Sequence, residues 1–218
     1  MPMPHFDIAQ IIREIALLAV PFLLAITCHE VAHGYMAYRL GDPTAKLAGR
    51  LTLNPLKHLD VLGTLVLVVT RMIGWAKPVP VDSRYFRDPL KGMMYVSLAG
   101  PGANFALAII FTMLFHGLNA LFGGRPLSQV ELMFVEPLAN IFYLGVQINL
   151  VLGLFNLLPI PPMDGSGILA YFLPRAAVAQ YMAVGRYGFL IIILLAASGL
   201  LGRLLWPPVA FFMQMLLF

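Results

Sequence analysis

Long apolar segments separated by short polar connections dominate the chain. Three of them exceed the roughly 20 residues that a membrane-spanning helix needs, namely residues 8–38, 92–122 and 137–158. Two further apolar runs follow near the C-terminus, at 187–202 and 204–218. The first segment lacks the basic start and the Ala-x-Ala-like exit of a signal peptide, so we expect it to be retained as a helix. The pattern predicts an all-α fold, a polytopic bundle of membrane helices.

The apolar run at 61–74 is too short for a full span and lies between two basic connections. Basic connections favour the cytoplasmic side of a membrane, and a full crossing at 61–74 would put these two on opposite sides. We therefore predict a short re-entrant or interfacial segment there. The loop at 123–136 has Arg125 as its single basic residue and is expected on the far side. The two basic connections are 39–57, with Arg39, Lys46, Arg50 and Lys57, and 77–91, with Lys77, Arg84, Arg87 and Lys91.

Composition agrees with a membrane protein. Hydrophobic residues make up 60% and charged residues 11% of the 218 residues, compared with about 45–50% and about 25% in soluble domains. The net charge is +4, but the basic residues lie between apolar runs, where they set topology. We therefore expect a lipid bilayer and no nucleic acid as partner. The single cysteine, Cys28, allows no intrachain disulfide, and the length predicts one domain over 1–218.

The sequence His29-Glu-Val-Ala-His33 predicts a metal site on the first helix. Histidines at positions i and i+4 share one helix face, so both imidazoles can reach one ion. Glu30 lies beside them and is placed to activate water. Cys28 points about 100° away from His29 on a helix, which favours packing over ligation. Ionisable residues inside a membrane are costly unless they are paired or bind metal, so this cluster indicates function.

A catalytic zinc site needs a third protein ligand, because such sites usually combine three ligands with one open position. Asp164 is the best candidate, because it follows an apolar run and a segment with three prolines in 159–162. Non-helical backbone at membrane depth survives where protein or a water-lined cavity supplies hydrogen bonds. The alternative is that Asp164 caps the next helix. His58 and His116 are weaker ligand candidates. Asn104, beside the small residues Ala99 and Ala103, favours close helix packing and a hydrogen bond across the interface.

These motifs resemble the site-2 protease family of intramembrane zinc metalloproteases. HEVAH, SLAGPGAN and NLLPIPPMDG carry the resemblance, and GRLTLNPLKHLDVLGT and GWAKPVPV are similar to small prokaryotic members without PDZ or CBS domains. The resemblance covers residues from about 22 to 170. It implies one Zn²⁺ per chain on His29, His33 and Asp164, with Glu30 as general base. It also implies that Asn156 holds substrate or stabilises charge.

The implied activity is hydrolysis of peptide bonds in or near transmembrane segments, that is, regulated intramembrane proteolysis. The substrate would be a transmembrane protein or peptide. The enzyme would lie in a prokaryotic inner membrane, with a broken helix at an active site nearer the cytoplasmic face. Two other classes explain part of the pattern. A metal transporter would explain the ligands but gives Glu30 no task, and an inactive scaffold would not need the complete set of ligands and base.

Overall fold

Helices form the fold throughout the described residues, which in this computed structural model are 8–60, 63 and 76–218. Four helices are long and apolar enough to cross a membrane, α1 from Ile15 onward. Where backbone is described, there is no β-strand and only an isolated antiparallel bridge between Leu59 and Ala76. The all-α, polytopic prediction is therefore confirmed. The four long helices are α1 (Ile8–Arg39), α3 (Pro89–Phe122), α4 (Gln129–Asn156) and α8 (Leu200–Leu217).

The shorter helices lie in the connections and near the C-terminus. They are α2 (Thr44–Leu47), α5 (Asp164–Phe172), α6 (Arg175–Ala183) and α7 (Gly185–Ala197), with 3₁₀ turns at Pro55–Lys57 and Ser83–Tyr85. Helices α6 and α7 meet at a bend of 58° and count as a fifth span only if the pair is one broken span. The apolar run predicted at 187–202 therefore corresponds mostly to α7.

Hydrogen-bonding side chains set where the two central helices begin. Asp88 caps α3 by accepting a hydrogen bond from the backbone N–H of Lys91. Ser128 and Glu131 form a capping box at the start of α4. The predicted loop at 123–136 was therefore too long, because the capping box starts the helix at Gln129 and Pro137 is accommodated inside it.

The bundle centres on α1, α3 and α4, which pack against one another, while α5 packs on α3 and α8 packs on α4. Gly145 lets α3 and α4 approach closely, since a Cβ at this position would lie 2.5 Å from the ring of Phe111. The buried core of this region joins three helices and consists of Ala108, Phe111, Val146, Leu150, Val209, Met213 and Leu217.

The two basic connections contact each other. The N–H of Lys77 donates to the carbonyl of His58 at 2.8 Å. The Nη2 of Arg50 donates to the carbonyl of Lys77 at 2.6 Å. Both connections therefore lie at the same end of the bundle, where α1 ends and α3 begins. The predicted re-entrant segment at 61–74 lies, apart from Gly63, outside the described residues.

A buried carboxylate strengthens this junction. Asp42, which is fully buried, accepts hydrogen bonds from the backbone N–H groups of Thr44 at 2.9 Å and Asp82 at 2.7 Å. The Asp82 carboxylate in turn accepts from Arg84, and this guanidinium holds the pKa of Asp82 below its usual value. The hydrogen bond between Asp42 and Asp82 therefore holds the two basic connections together.

The shared position of the two connections gives a topology prediction. In a Cys28→Ser background, Leu47→Cys and Tyr85→Cys should both react with a membrane-impermeant thiol reagent from the cytoplasmic side, because basic connections favour that side. Both positions are suited to labelling, since Leu47 is 81% and Tyr85 54% exposed. Gly124→Cys, in the predicted opposite loop, serves as the control and should react only from the other side. Labelling of positions 47 and 85 from opposite sides would contradict this arrangement.

Candidate metal centre

Helix α1 brings two imidazoles to one point. His29 and His33 are one turn apart, their rings meet edge to face with centroids 4.5 Å apart, and their Nε2 atoms are 3.0 Å apart. Gly34, next to His33, lets α1 pack closely against the two connections, because a Cβ at Gly34 would lie 2.9 Å from Val79 and 2.8 Å from Leu51. The predicted i, i+4 geometry is therefore present in the structure.

A break between two helices delivers the third side chain. Helix α4 ends at Asn156, and α5 begins at Asp164 after a segment of turns and bends. Gly165 packs so closely on the carbonyls of Leu157 and Leu158 that a Cβ would overlap them. The start of α5 therefore folds back onto the end of α4. Met163 occupies the N-cap position of α5 and Asp164 follows it in the first turn, so Asp164 is not the capping residue of this helix.

Asp164 points at both histidines. Its Oδ2 lies 3.1 Å from the Nε2 of His29, and its Oδ1 lies 3.3 Å from the Nε2 of His33. One ligand atom from each of the three residues lies within 4.8 Å of the other two. Within the described parts of the chain, no other group of histidine, cysteine or acidic residues has this geometry.

Hydrogen bonds on the opposite ring edges leave lone pairs facing inward. The Nδ1 of His33 is 2.7 Å from the carbonyl oxygen of Val96, so it must carry the proton and donate. The Nδ1 of His29 is 2.7 Å from the Oδ1 of Asn104. In neutral imidazoles both Nε2 atoms then carry lone pairs. Asp164 Oδ2 is buried without a hydrogen-bond partner. Two imidazole nitrogens and a carboxylate facing one point fit Zn²⁺, with room in its coordination for water.

Gly100 on α3 packs directly against both imidazoles. A Cβ at Gly100 would lie 2.5 Å from the Cε1 of His33 and 2.6 Å from the Cε1 of His29. Any larger residue would therefore displace both rings. Gly100, the first glycine of the SLAGPGAN motif, thus allows α3 to approach the two imidazoles closely.

The other two predicted site residues, Glu30 and Asn156, make hydrogen bonds to the backbone. Glu30 is half-buried, and its Oε2 accepts a hydrogen bond of 2.8 Å from the N–H of Val79. Asn156 uses its Nδ2 to donate to the carbonyl of Leu152 on its own helix, at 3.0 Å. The weaker candidates lie outside the cluster: His58 bonds to the carbonyl of Thr52, and His116 bonds to that of Leu216.

The sequence predicted close packing and a hydrogen bond across the helix interface for Asn104, and this bond is present, whereas Asn149 was not among the predicted residues. Both side chains are fully buried, and Asn104 Nδ2 donates to the Oδ1 of Asn149 at 3.0 Å. An asparagine in a long apolar segment was the available signal, because a buried amide in a membrane helix needs hydrogen-bond partners. The hydrogen bond between Asn104 and His29 depends on how α1 pairs with α3, which the sequence alone does not predict.

Comparison with known proteins identifies the family. Residues 117–196, which include Asp164, match the model of peptidase family M50. The chain is 42% identical over 190 residues to YwhC of Bacillus subtilis, whose name describes a candidate zinc metalloprotease, and the match covers 87% of this chain and 84% of YwhC. The chain belongs to peptidase family M50, the site-2 protease family.

A more distant relative agrees with this assignment. Rip2 of Mycolicibacterium smegmatis, named in the same way, is 28% identical over 198 residues, which cover 88% of this chain and 70% of Rip2. No solved structure matches the chain. This site-2 protease is thus a zinc metallopeptidase and an integral membrane protein, as the sequence predicted.

The close contact at Gly100 yields a prediction about metal binding in this site-2 protease. Gly100→Ala should weaken zinc binding at least about tenfold, because the added methyl group overlaps both imidazoles and displaces the rings; this is the lower end of losses seen when the surroundings of metal ligands change. Zinc content after dialysis and affinity by chelator competition measure the effect. Gly102→Ala on the same helix is the matched control, because a Cβ there meets nothing within 4 Å. Equal zinc binding by both variants would show that Gly100 does not shape the site.

Proposed function

We propose that this protein hydrolyses peptide bonds within or next to transmembrane segments of membrane proteins, using zinc held by His29, His33 and Asp164. The convergence of three ligand atoms within 4.8 Å at the meeting point of α1 and α5 carries this proposal. Two further observations support it: the inward lone pairs described above, and the family membership of the chain. When bound, zinc supplies Lewis-acid polarisation of a carbonyl and makes water a nucleophile at neutral pH.

Glu30 is proposed as the general base. It follows His29 directly, so its side chain leaves the helix on a neighbouring face and stays outside the ligand set. The N–H of Val79 fixes one carboxylate oxygen at 2.8 Å, while the other oxygen remains able to accept a proton. Glu30 would take the proton of the attacking water and deliver it to the leaving amine.

Asn156 is proposed to stabilise negative charge on the substrate or to hold the substrate. One of its two amide hydrogens is used by the carbonyl of Leu152, and the second remains for a ligand. Asn156 ends α4, and the beginning of α5 folds back on the adjacent residue Leu157. This places the amide on the same helix junction that delivers Asp164.

The position of the site along α1 supports cleavage on the cytoplasmic side of the membrane. His33 lies six residues before Arg39, which ends the helix, and this distance is roughly 9 Å at 1.5 Å per residue. We therefore place the site below the cytoplasmic surface of a prokaryotic inner membrane. A transmembrane substrate must unwind locally before hydrolysis, because the hydrogen bonding of its helix shields the peptide bond. Such cleavage corresponds to regulated intramembrane proteolysis.

Replacement of Glu30 by glutamine tests the proposed base. The amide keeps the size of the side chain and can still accept a hydrogen bond from Val79, so Glu30→Gln should fold and bind zinc like the wild type. Cleavage of a membrane substrate should fall at least about 100-fold, the lower end of the usual contribution of acid–base catalysis. Zinc content and cleavage rate are measured on one preparation. Near-normal cleavage would disprove the role of base, and loss of zinc would make Glu30 part of the metal shell.

Single replacements test the ligand set separately. His29→Gln, His33→Gln and Asp164→Asn should each reduce zinc occupancy from about one per chain, because a site with three protein ligands loses one of them. His116→Gln is the matched control, since this histidine lies on α3 and bonds to the carbonyl of Leu216 instead. Full zinc occupancy in Asp164→Asn would remove Asp164 from the proposed site.

A further inference from the structure

Two buried asparagines connect the imidazole of His29 to the interior of the bundle. Asn104 on α3 and Asn149 on α4 are both 0% exposed. Their side chains form a chain of hydrogen bonds that begins at His29 on α1, so the chain joins the three central helices. A fully buried amide in an apolar bundle has no water to satisfy it, which makes each of these bonds costly to lose.

The donor and acceptor of each hydrogen bond in this series can be assigned from the Gly145 carbonyl, which can only accept. The Nδ2 of Asn149 is 2.8 Å from the carbonyl of Gly145, and a carbonyl only accepts, so the Oδ1 of Asn149 must face Asn104. The Nδ2 of Asn104 therefore donates to that oxygen at 3.0 Å, and it also lies 3.2 Å from the carbonyl of Ala25. This leaves the Oδ1 of Asn104 as an acceptor for the Nδ1 of His29.

We infer that Asn104 and Asn149 are positioning residues that fix the tautomer and the ring orientation of His29. Asn104 acts directly, because its oxygen keeps the proton on Nδ1 and the lone pair on Nε2, where Asp164 and His33 converge. Asn149 acts through Asn104, because its own orientation is set by Gly145 and prevents the Asn104 amide from turning over. This inference rests on the proposed metal site.

The neighbouring histidine provides an internal comparison. His33 Nδ1 donates to the backbone carbonyl of Val96, which no side-chain substitution removes. His29 instead depends on a side chain, and that side chain depends on a second one. Loss of the Asn104 oxygen should therefore disturb one of the two imidazoles and leave the other held.

The test uses the full chain, purified in detergent, with Asn104→Leu, Asn149→Leu and the double variant. Leucine keeps a similar volume and removes the polar atoms. Partners of metal ligands typically contribute about 10–100-fold to metal affinity, so Asn104→Leu should weaken zinc binding within that range. Asn149→Leu should weaken it by more than about twofold and by at most about tenfold. Because Asn149 acts through Asn104, the double variant should differ from Asn104→Leu by no more than about twofold.

Thr112→Val is the matched control, since Thr112 is a buried polar residue on the same helix as Asn104 and donates only to the carbonyl of Ala108. Its zinc affinity should stay within about twofold of the wild type, the usual limit for independent sites. The second measurement is the visible absorption spectrum of the Co²⁺-substituted protein, which reports ligand geometry. The spectrum should change in both asparagine variants and remain unchanged in Thr112→Val. Thermal unfolding of the metal-free proteins shows any general loss of stability.

The outcomes separate this inference from the proposed metal site. If the wild type binds no zinc through His29, His33 and Asp164, the proposed site itself fails. If the wild type binds zinc there but the asparagine variants keep its affinity and Co²⁺ spectrum, the asparagines only stabilise the bundle and the inference is wrong. Independent losses that multiply in the double variant would also contradict it. If Asn104→Leu does not fold, the zinc affinities of Asn149→Leu and Thr112→Val still test the inference. The inference requires that Asn149→Leu binds zinc more weakly than Thr112→Val does.

Discussion

The structure depends on keeping three electron-pair donors, two imidazoles and a carboxylate, close together inside an apolar bundle. Such donors repel one another and lose hydration when buried, so a compact site of this kind is stable only with a cation or protons among them. The surrounding features follow from this constraint. Gly100 brings α3 against the two rings, the helix junction before Asp164 delivers the carboxylate, and oxygens on the outer ring edges accept the Nδ1 protons. The bundle is thus arranged around polar groups that would otherwise destabilise it.

The non-helical segment before Asp164 has to be held at a defined position, because its displacement would move the Asp164 carboxylate away from the two imidazoles. Neighbouring helices perform this task. The hydroxyl of Tyr181 on α6 donates to the carbonyl of Pro159 at 2.9 Å. Gly188 on α7 packs so closely on the carbonyl of Pro161 that a Cβ would overlap it. The prolines remove backbone donors that would lack partners in an apolar setting. The bent pair of α6 and α7 therefore supports the segment that leads to Asp164.

Local patterns predicted much of this architecture. The lengths of α1 and α3 followed from apolar segment length, and the grouping of His29 with His33 followed from helical periodicity. Asp164 was proposed because a zinc site with two histidines needs a third protein ligand and this carboxylate follows a proline-rich break after an apolar run. The start of α4 was missed, because the sequence from Ser128 to Glu131, which forms its capping box, was not recognised as a helix start. The bonds of Asn104 and Asn149 connect residues on different helices, so they depend on the pairing and rotation of helices, which a single sequence does not encode in a readable way.

The two histidines differ in how strongly substitutions elsewhere in the chain can change their orientation. His33 is held by a backbone carbonyl, which persists through almost any substitution that preserves α3. His29 is held by a side-chain amide, whose orientation depends on a second amide and finally on the carbonyl of Gly145. Substitutions on α3 and α4 can therefore change the orientation of the His29 imidazole and leave that of His33 unchanged. Because Asn104 also donates to the carbonyl of Ala25 on α1, the same residue couples the spacing of α1 and α3 to the orientation of the ring. A movement that separates α1 from α3 would lengthen the bond between Asn104 and His29 and leave the backbone hydrogen bonds within α1 intact. The geometry of the site is therefore more sensitive to this polar contact between the two helices than to the conformation of α1 itself.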